Sequence, residues 1–174
     1  YCGLRHSSER SGLSRRINRF LVVALYAAFL FQLFGYGLRW YVGGRIPLSN
    51  GYETMQFMAL CTLVLACLFR RRFPFTVPFG FLLSGFALLV AHSGQMNPQI
   101  TPLMPVLVSP WLSMHVSLIM MSYALFAFMM LNGILALCIR RHGKMLMLLS
   151  RLLLYPANFF LGAGIFMGAV WANV

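Results

Sequence analysis

Five uninterrupted apolar stretches run through this sequence, at Phe20–Leu38, Gly51–Phe69, Phe73–Ala91, Trp111–Ile139 and Pro156–Asn173. A helix needs about 20 apolar residues to cross a hydrocarbon core. Each stretch is near that length, and the fourth is long enough to cross with tilt. Hydrocarbon cannot hydrogen-bond to peptide groups, so only helices or closed barrels span it. The runs lack the alternation of barrel strands. The expected fold is therefore all-α, a polytopic transmembrane bundle of about five helices. Composition agrees: only 9% of the residues are charged, where a soluble domain carries about 25%. That is too little charge to wet a surface.

The net charge of +12 would suit a nucleic-acid partner if the basic residues lay on one face or tail. They lie instead in short clusters between apolar runs, which excludes that reading. Arg5, Arg10, Arg15, Arg16 and Arg19 precede the first run. Arg70, Arg71 and Arg72 follow the second, and Arg140, Arg141, Lys144 and Arg151 separate the fourth from the fifth. Twelve of the fourteen basic residues thus fall on alternate connections, leaving only Arg39 and Arg45 on the other side. By the positive-inside rule the twelve are cytoplasmic. The expected organisation is a basic cytoplasmic segment over residues 1–19 and a membrane domain over 20–174, with the N-terminus in the cytoplasm. Two connections then face outward, Arg39–Asn50 and His92–Pro110. The second carries Pro98, Pro102, Pro105 and Pro110, which rule out a continuing helix. Trp40, Tyr41, Tyr52, Trp111 and Trp171 cluster at the same ends, as an aromatic belt does. Residues Gly143–Leu154 place Lys144 and Arg151 on one helical face, so this segment is expected to lie along the inner interface before the fifth span.

The four cysteines form no disulfide or metal pattern. Cys61 and Cys67 lie within an apolar run, and Cys2 and Cys138 beside basic clusters. Small buried hydrophobes describe them better. The chain begins without Met, shows no signal-peptide pattern, and stops at Val174 directly after an apolar run. It is expected to be a piece of a longer protein.

Two acidic residues cannot support paired-carboxylate catalysis along this chain. There is no phosphate-binding loop, zinc-protease helix or nucleophile elbow. What remains is histidine, arginine and Glu53, mostly near the outer ends. His115 lies one helical turn past Trp111 on the same face. An imidazole at that depth is costly unless it meets protein, water or a ligand. It is either a core histidine, bonded to Ser122, Tyr123 or a loop carbonyl, or a ligand-facing group. His92 ends the third span at a matching level, and two such histidines could hold one metal between helices. His6 and His142 sit among cytoplasmic basic residues. Glu53 opens the second span and needs Arg39 or Arg45 as partner. The arginine left over could receive an anionic group. Gly164-Ile-Phe-Met-Gly168 lets helix backbones approach closely.

Three stretches are more specific: Arg39-Trp-Tyr-Val-Gly-Gly-Arg-Ile-Pro-Leu-Ser-Asn-Gly-Tyr-Glu53; Pro110-Trp-Leu-Ser-Met-His-Val116 followed by Ser122-Tyr123; and Gly164-Ile-Phe-Met-Gly-Ala-Val-Trp-Ala172. Together, over roughly residues 36–174, they resemble the cytochrome c assembly family. The closest likeness is to the system II cytochrome c synthase of the CcsA/ResC type, including its fused CcsBA form. In that family a tryptophan-rich outer segment, the WWD segment, follows such a helix end and forms the platform for heme. Here the chain stops just before it. The resemblance makes His115 the match for the first external heme-ligand histidine, so that it would be an axial ligand of heme iron. It offers no such role for His92. Arg39, Arg45 and Trp171 are the further heme contacts it suggests. Heme b would be the transported or presented substrate, held at the outer face of a bacterial cytoplasmic membrane. An apocytochrome c CxxCH segment and a CcsB/ResB-type subunit or fused domain would be partners, besides membrane lipid. The intact protein would act as a heme lyase, and this segment would not act alone. Two other classes remain open from the residues. One is an electron-carrier subunit with heme between His92 and His115. The other is a transporter of a different anionic solute.

Overall fold

The computed structural model describes residues 2–93, 98–100, 109–138 and 143–173, with side chains described from Arg15 onward. Pro102, Pro105, Arg140, Arg141 and His142, and the side chains of Cys2, Arg5, His6 and Arg10, lie outside the described residues. Five helices follow in order: α1 Cys2–Gly43, α2 Gly51–Phe69, α3 Thr76–Ser93, α4 Pro110–Cys138 and α5 Gly143–Ala172. Each contains a segment long and apolar enough to cross a membrane.

The apolar runs locate the helices, and two boundaries differ for physical reasons. α1 is already helical ahead of the apolar run that starts at Phe20, and it ends at Gly43. Arginine is a good helix former, so nothing between Arg15 and Phe20 interrupts the helix. The exit is set by Gly44, whose φ of +62° is a left-handed conformation that side chains resist. The second difference concerns α5. Gly143–Leu154 is not a separate interfacial segment; it forms the first turns of one helix that continues through Pro156 to Ala172. Leu146, Leu149, Leu153 and Ala157 are buried in a stripe that runs across the proline. Their spacing of three and four keeps one face on α4, and that packing overrides the break that proline invites.

The helices run up and down. α2 and α3 form a hairpin so close that a Cβ on Gly80 would collide with the Ala66 side chain. α4 and α5 form a second antiparallel pair, and α1 lies mainly along α2, with a lighter contact to α3. A row of rings, Phe69, Phe73, Phe75, Phe79 and Phe128, joins the two pairs with centroids 5.7 to 6.3 Å apart. Leu25, Leu63, Val77, Leu125, Leu149 and Leu153 pack around it. This core occupies the half of the bundle nearest Arg70–Arg72. Only 11% of the most apolar window of α1 is buried, against 39% for α3. Phe31, Phe34 and Tyr41 of α1, and Phe159 and Phe166 of α5, point outward. Such apolar outer faces suit a lipid solvent.

Three side chains of α4 join α5 through backbone carbonyls. His115 reaches Gly164, Ser122 reaches Ala157, and Asn132 reaches Leu146 and the Ser150 hydroxyl. From the first bond to the second, both helices advance seven residues in opposite directions. The pair is therefore held in a single register along most of its length. In hydrocarbon, where water cannot compete, such bonds also satisfy otherwise costly polar groups.

Candidate functional site

One end of the bundle gathers the C-termini of α1, α3 and α5, the N-termini of α2 and α4, and the segment Arg45–Asn50. The local structure there is dictated by the start of α2. Asn50 caps the helix, its Oδ1 accepting the Glu53 backbone N–H at 2.8 Å. Glu53 turns back so that its Oε2 accepts the Ser49 N–H at 2.8 Å. Asn50 thus satisfies an amide that the first turn leaves free, and Glu53 satisfies the amide of the residue before the cap. The remaining oxygen, Oε1, receives Arg39 Nε at 3.0 Å. Arg39 is thus the partner of Glu53.

Arg39 is also engaged elsewhere. Its Nη1 donates to the Pro98 carbonyl at 2.7 Å and its Nη2 to that of Gln99 at 3.5 Å. Its guanidinium stands 5.1 Å from the centre of the Tyr52 ring. Arg39 therefore ties α1, the start of α2 and the segment after α3 into one unit. Side-chain exposure of 12% for Arg39 and 2% for Glu53 makes this a desolvated pair. Removing either member would strand the other. Tyr36 adds a brace by donating to the Pro47 carbonyl. Arg45, in the same segment, differs: its buried Nε has no hydrogen-bond partner among the described residues.

His115 sits in the second turn of α4, half-buried against α5. Its Nδ1 lies 2.6 Å from the Gly164 carbonyl oxygen. No hydrogen bond engages Nε2 among the described residues. A Cβ built on Gly168 would stand 2.7 Å from Cε1 and 2.8 Å from Nδ1 of this ring. The partner expected from sequence was Ser122, Tyr123 or a loop carbonyl. The observed one is a helix carbonyl, and Ser122 bonds Ala157 instead while Tyr123 is exposed. His92 is exposed in the last turn of α3, and no hydrogen bond joins it to His115. Trp171 is half-buried one turn past Gly168, at the same end of the bundle. No cluster of three or more potential metal-ligating His, Cys, Asp or Glu side chains occurs among the described residues. Cys61, Cys67 and Cys138 are free; the first two are half-buried and Cys138 is exposed.

The end of the bundle thus combines a saturated ion pair, an arginine with a donor to spare and an imidazole with one nitrogen engaged. Comparison with known sequences gives this arrangement a context. The sequence profile described as Cytochrome C assembly protein matches residues 48–174. The chain belongs to this family. Protein NrfI of Wolinella succinogenes is 35% identical over 156 residues, which cover 83% of this chain and 17% of NrfI. Cytochrome c biogenesis protein CcsA of Chlamydomonas reinhardtii is 34% identical over 156 residues, 78% of this chain and 44% of that protein. A CcsA from Synechococcus sp. (strain WH7803) is 40% identical over 93 residues, 50% of this chain and 28% of its own length. The chain spans less than half the length of each of these relatives.

The family match includes Glu53, His115 and Trp171 and begins after Arg39 and Arg45. Sequence reasoning assigned Gly164 and Gly168 to close helix packing. Their contact with His115 went unread, although one signal was available. The two glycines are four residues apart on α5, as His115 and Ile119 are on α4, and Ile119 Cδ1 would lie 2.7 Å from a Cβ on Gly164. The Pro98 and Gln99 carbonyls that hold Arg39 carry no sequence signal at all.

Proposed function

We propose that this chain is a heme-handling part of a cytochrome c biogenesis protein, with heme b as its substrate. The observation that supports this most is His115, fastened through Nδ1 with Nε2 left over, at the end that carries Arg45 and Trp171. Neutral imidazole is a good axial ligand for heme iron. Binding through one ring nitrogen while the other is held by a carbonyl is the usual design of a histidine ligand. Arg45 has a donor for a propionate carboxylate, and Trp171 offers an aromatic flank. Arg39 serves this end by shaping it. The twelve clustered basic residues support a cytoplasmic N-terminus, which puts His115 on the outer, periplasmic side of a bacterial inner membrane.

In the intact protein, heme held there would meet the CxxCH segment of an apocytochrome c. A cysteine S–H adds across a heme vinyl group: sulfur bonds one vinyl carbon and hydrogen the other, with no net oxidation. A CcsB/ResB-type subunit or fused domain would complete the assembly. Relatives named as cytochrome c biogenesis proteins support this setting.

The test is co-purification of heme with the full-length protein. His115→Ala removes the heme absorbance while His92→Ala leaves most of it. Equal loss from both would replace this reading with a two-histidine electron carrier. Unchanged heme in His115→Ala would reject the ligand assignment.

A further inference from the structure

We infer that Gly164 and Gly168 of α5 are positioning residues for His115: the Gly164 carbonyl and the bare face at Gly168 together fix the imidazole as the Nδ1–H tautomer, aiming Nε2 outward as the coordinating atom. This deepens, and for its heme readout rests on, the function proposed above.

The geometry carries the point in two steps. A carbonyl oxygen only accepts, so a nitrogen 2.6 Å from the Gly164 oxygen must carry the hydrogen. In neutral imidazole that leaves the lone pair on Nε2. Within the continuous helix α5 the same carbonyl accepts the amide of residue 168. Its second lone pair remains for the histidine. In making that bond the ring lies against the α5 backbone, in the space where any side chain at 168 would stand. The Cβ of an alanine would come within 2.7 to 2.8 Å of Cε1 and Nδ1 and within 3.3 Å of Nε2. The ring is a rigid plate and cannot yield at one atom, so it must leave as a whole and lose the carbonyl.

Gly164 plays the other half. Its oxygen is backbone and survives substitution, and the nearest side chain to a new Cβ is the flexible tip of Ile119 at 2.7 Å. The two glycines are thus unequal. Alanine at 168 displaces the histidine, whereas alanine at 164 presses on the Ile119 side chain, whose Cδ1 and Cγ1 would stand 2.7 and 3.0 Å away, and keeps the acceptor. Gly162 of the same helix has nothing within 4 Å of a Cβ and serves as the silent control. General helix packing would not single out 168 in this way, nor would it set a tautomer.

Nitrogen-15 NMR of the full-length, heme-free protein in lipid bilayers reads the tautomer directly, with His115→Ala assigning the signal. Wild type is expected to show protonated Nδ1 and bare Nε2. Gly168→Ala shifts the signal toward the Nε2–H form or a mixture, and Gly162→Ala leaves it unchanged. Heme retention in Gly168→Ala then falls at least about tenfold, the scale of losing a ligand's supporting hydrogen bond, with a smaller loss in Gly164→Ala. A wild-type signal from the Nε2–H tautomer overturns this inference without needing any variant to fold. A Gly168→Ala protein that keeps the wild-type tautomer also overturns it. If the tautomers behave as stated but His115→Ala retains full heme, the positioning stands and the heme reading fails.

Discussion

Arg39 and His115 lie at the same end of the bundle and are partly buried to similar purpose, yet they differ in what they have left to give. Arg39 uses Nε, Nη1 and Nη2 on Glu53, Pro98 and Gln99, and its face lies over Tyr52. His115 uses one nitrogen on Gly164. The first is a strut joining three segments. The second is held through Nδ1, with Nε2 unengaged among the described residues. Arg45, at the same end, has a buried Nε with no hydrogen-bond partner among the described residues. Capacity for a ligand therefore follows from unspent hydrogen-bonding groups, and residue type alone does not reveal it.

The largest effect that would break this contrast comes from Glu53→Ala. It strands the Arg39 guanidinium and the Ser49 amide in a nearly dry site. A loss of about 3 kcal/mol is expected, as for other broken buried pairs, seen as a lower unfolding temperature in detergent. Little change would mean that Arg39 is not a strut. Ser122→Ala probes the α4–α5 register below the histidine. It removes one hydroxyl bond to a carbonyl that keeps its helical partner, so a loss of about 1 kcal/mol with an unaltered heme spectrum is expected. A changed spectrum would show that the seat of His115 depends on the whole zipper rather than on its own turn. Arg45→Gln should do least to stability, within about 0.5 kcal/mol. Its heme retention should nonetheless fall more than that of a variant of exposed Arg71. If retention is untouched, the spare donor serves something other than heme.

Much of this was legible from residue order. The limits of α2 follow from the apolar run Gly51–Phe69, because hydropathy is a local property. The three specific stretches pointed to the cytochrome c assembly family before any contact was known. The continuity of α5 from Gly143 to Ala172 was not legible, because Lys144 and Arg151 spoke for a separate interfacial segment and only the buried stripe Leu146, Leu149, Leu153 and Ala157 joins it to the fifth span. Nor could the sequence tell which arginine meets Glu53: the partner is Arg39, 14 residues away, and not Arg45, which lies nearer in the chain.

The sequence by itself determined the solvent, the number of membrane-length helices and the candidate residues at one end. Each depends on short windows of polarity and length. Only the tertiary structure decided which of those residues are spent and which are free. The Gly164 carbonyl that fixes His115 is 49 residues away, and the Pro98 carbonyl that completes Arg39 is 59. A hydrogen bond depends on tenths of an ångström between groups that packing alone brings together, and no local pattern encodes that distance.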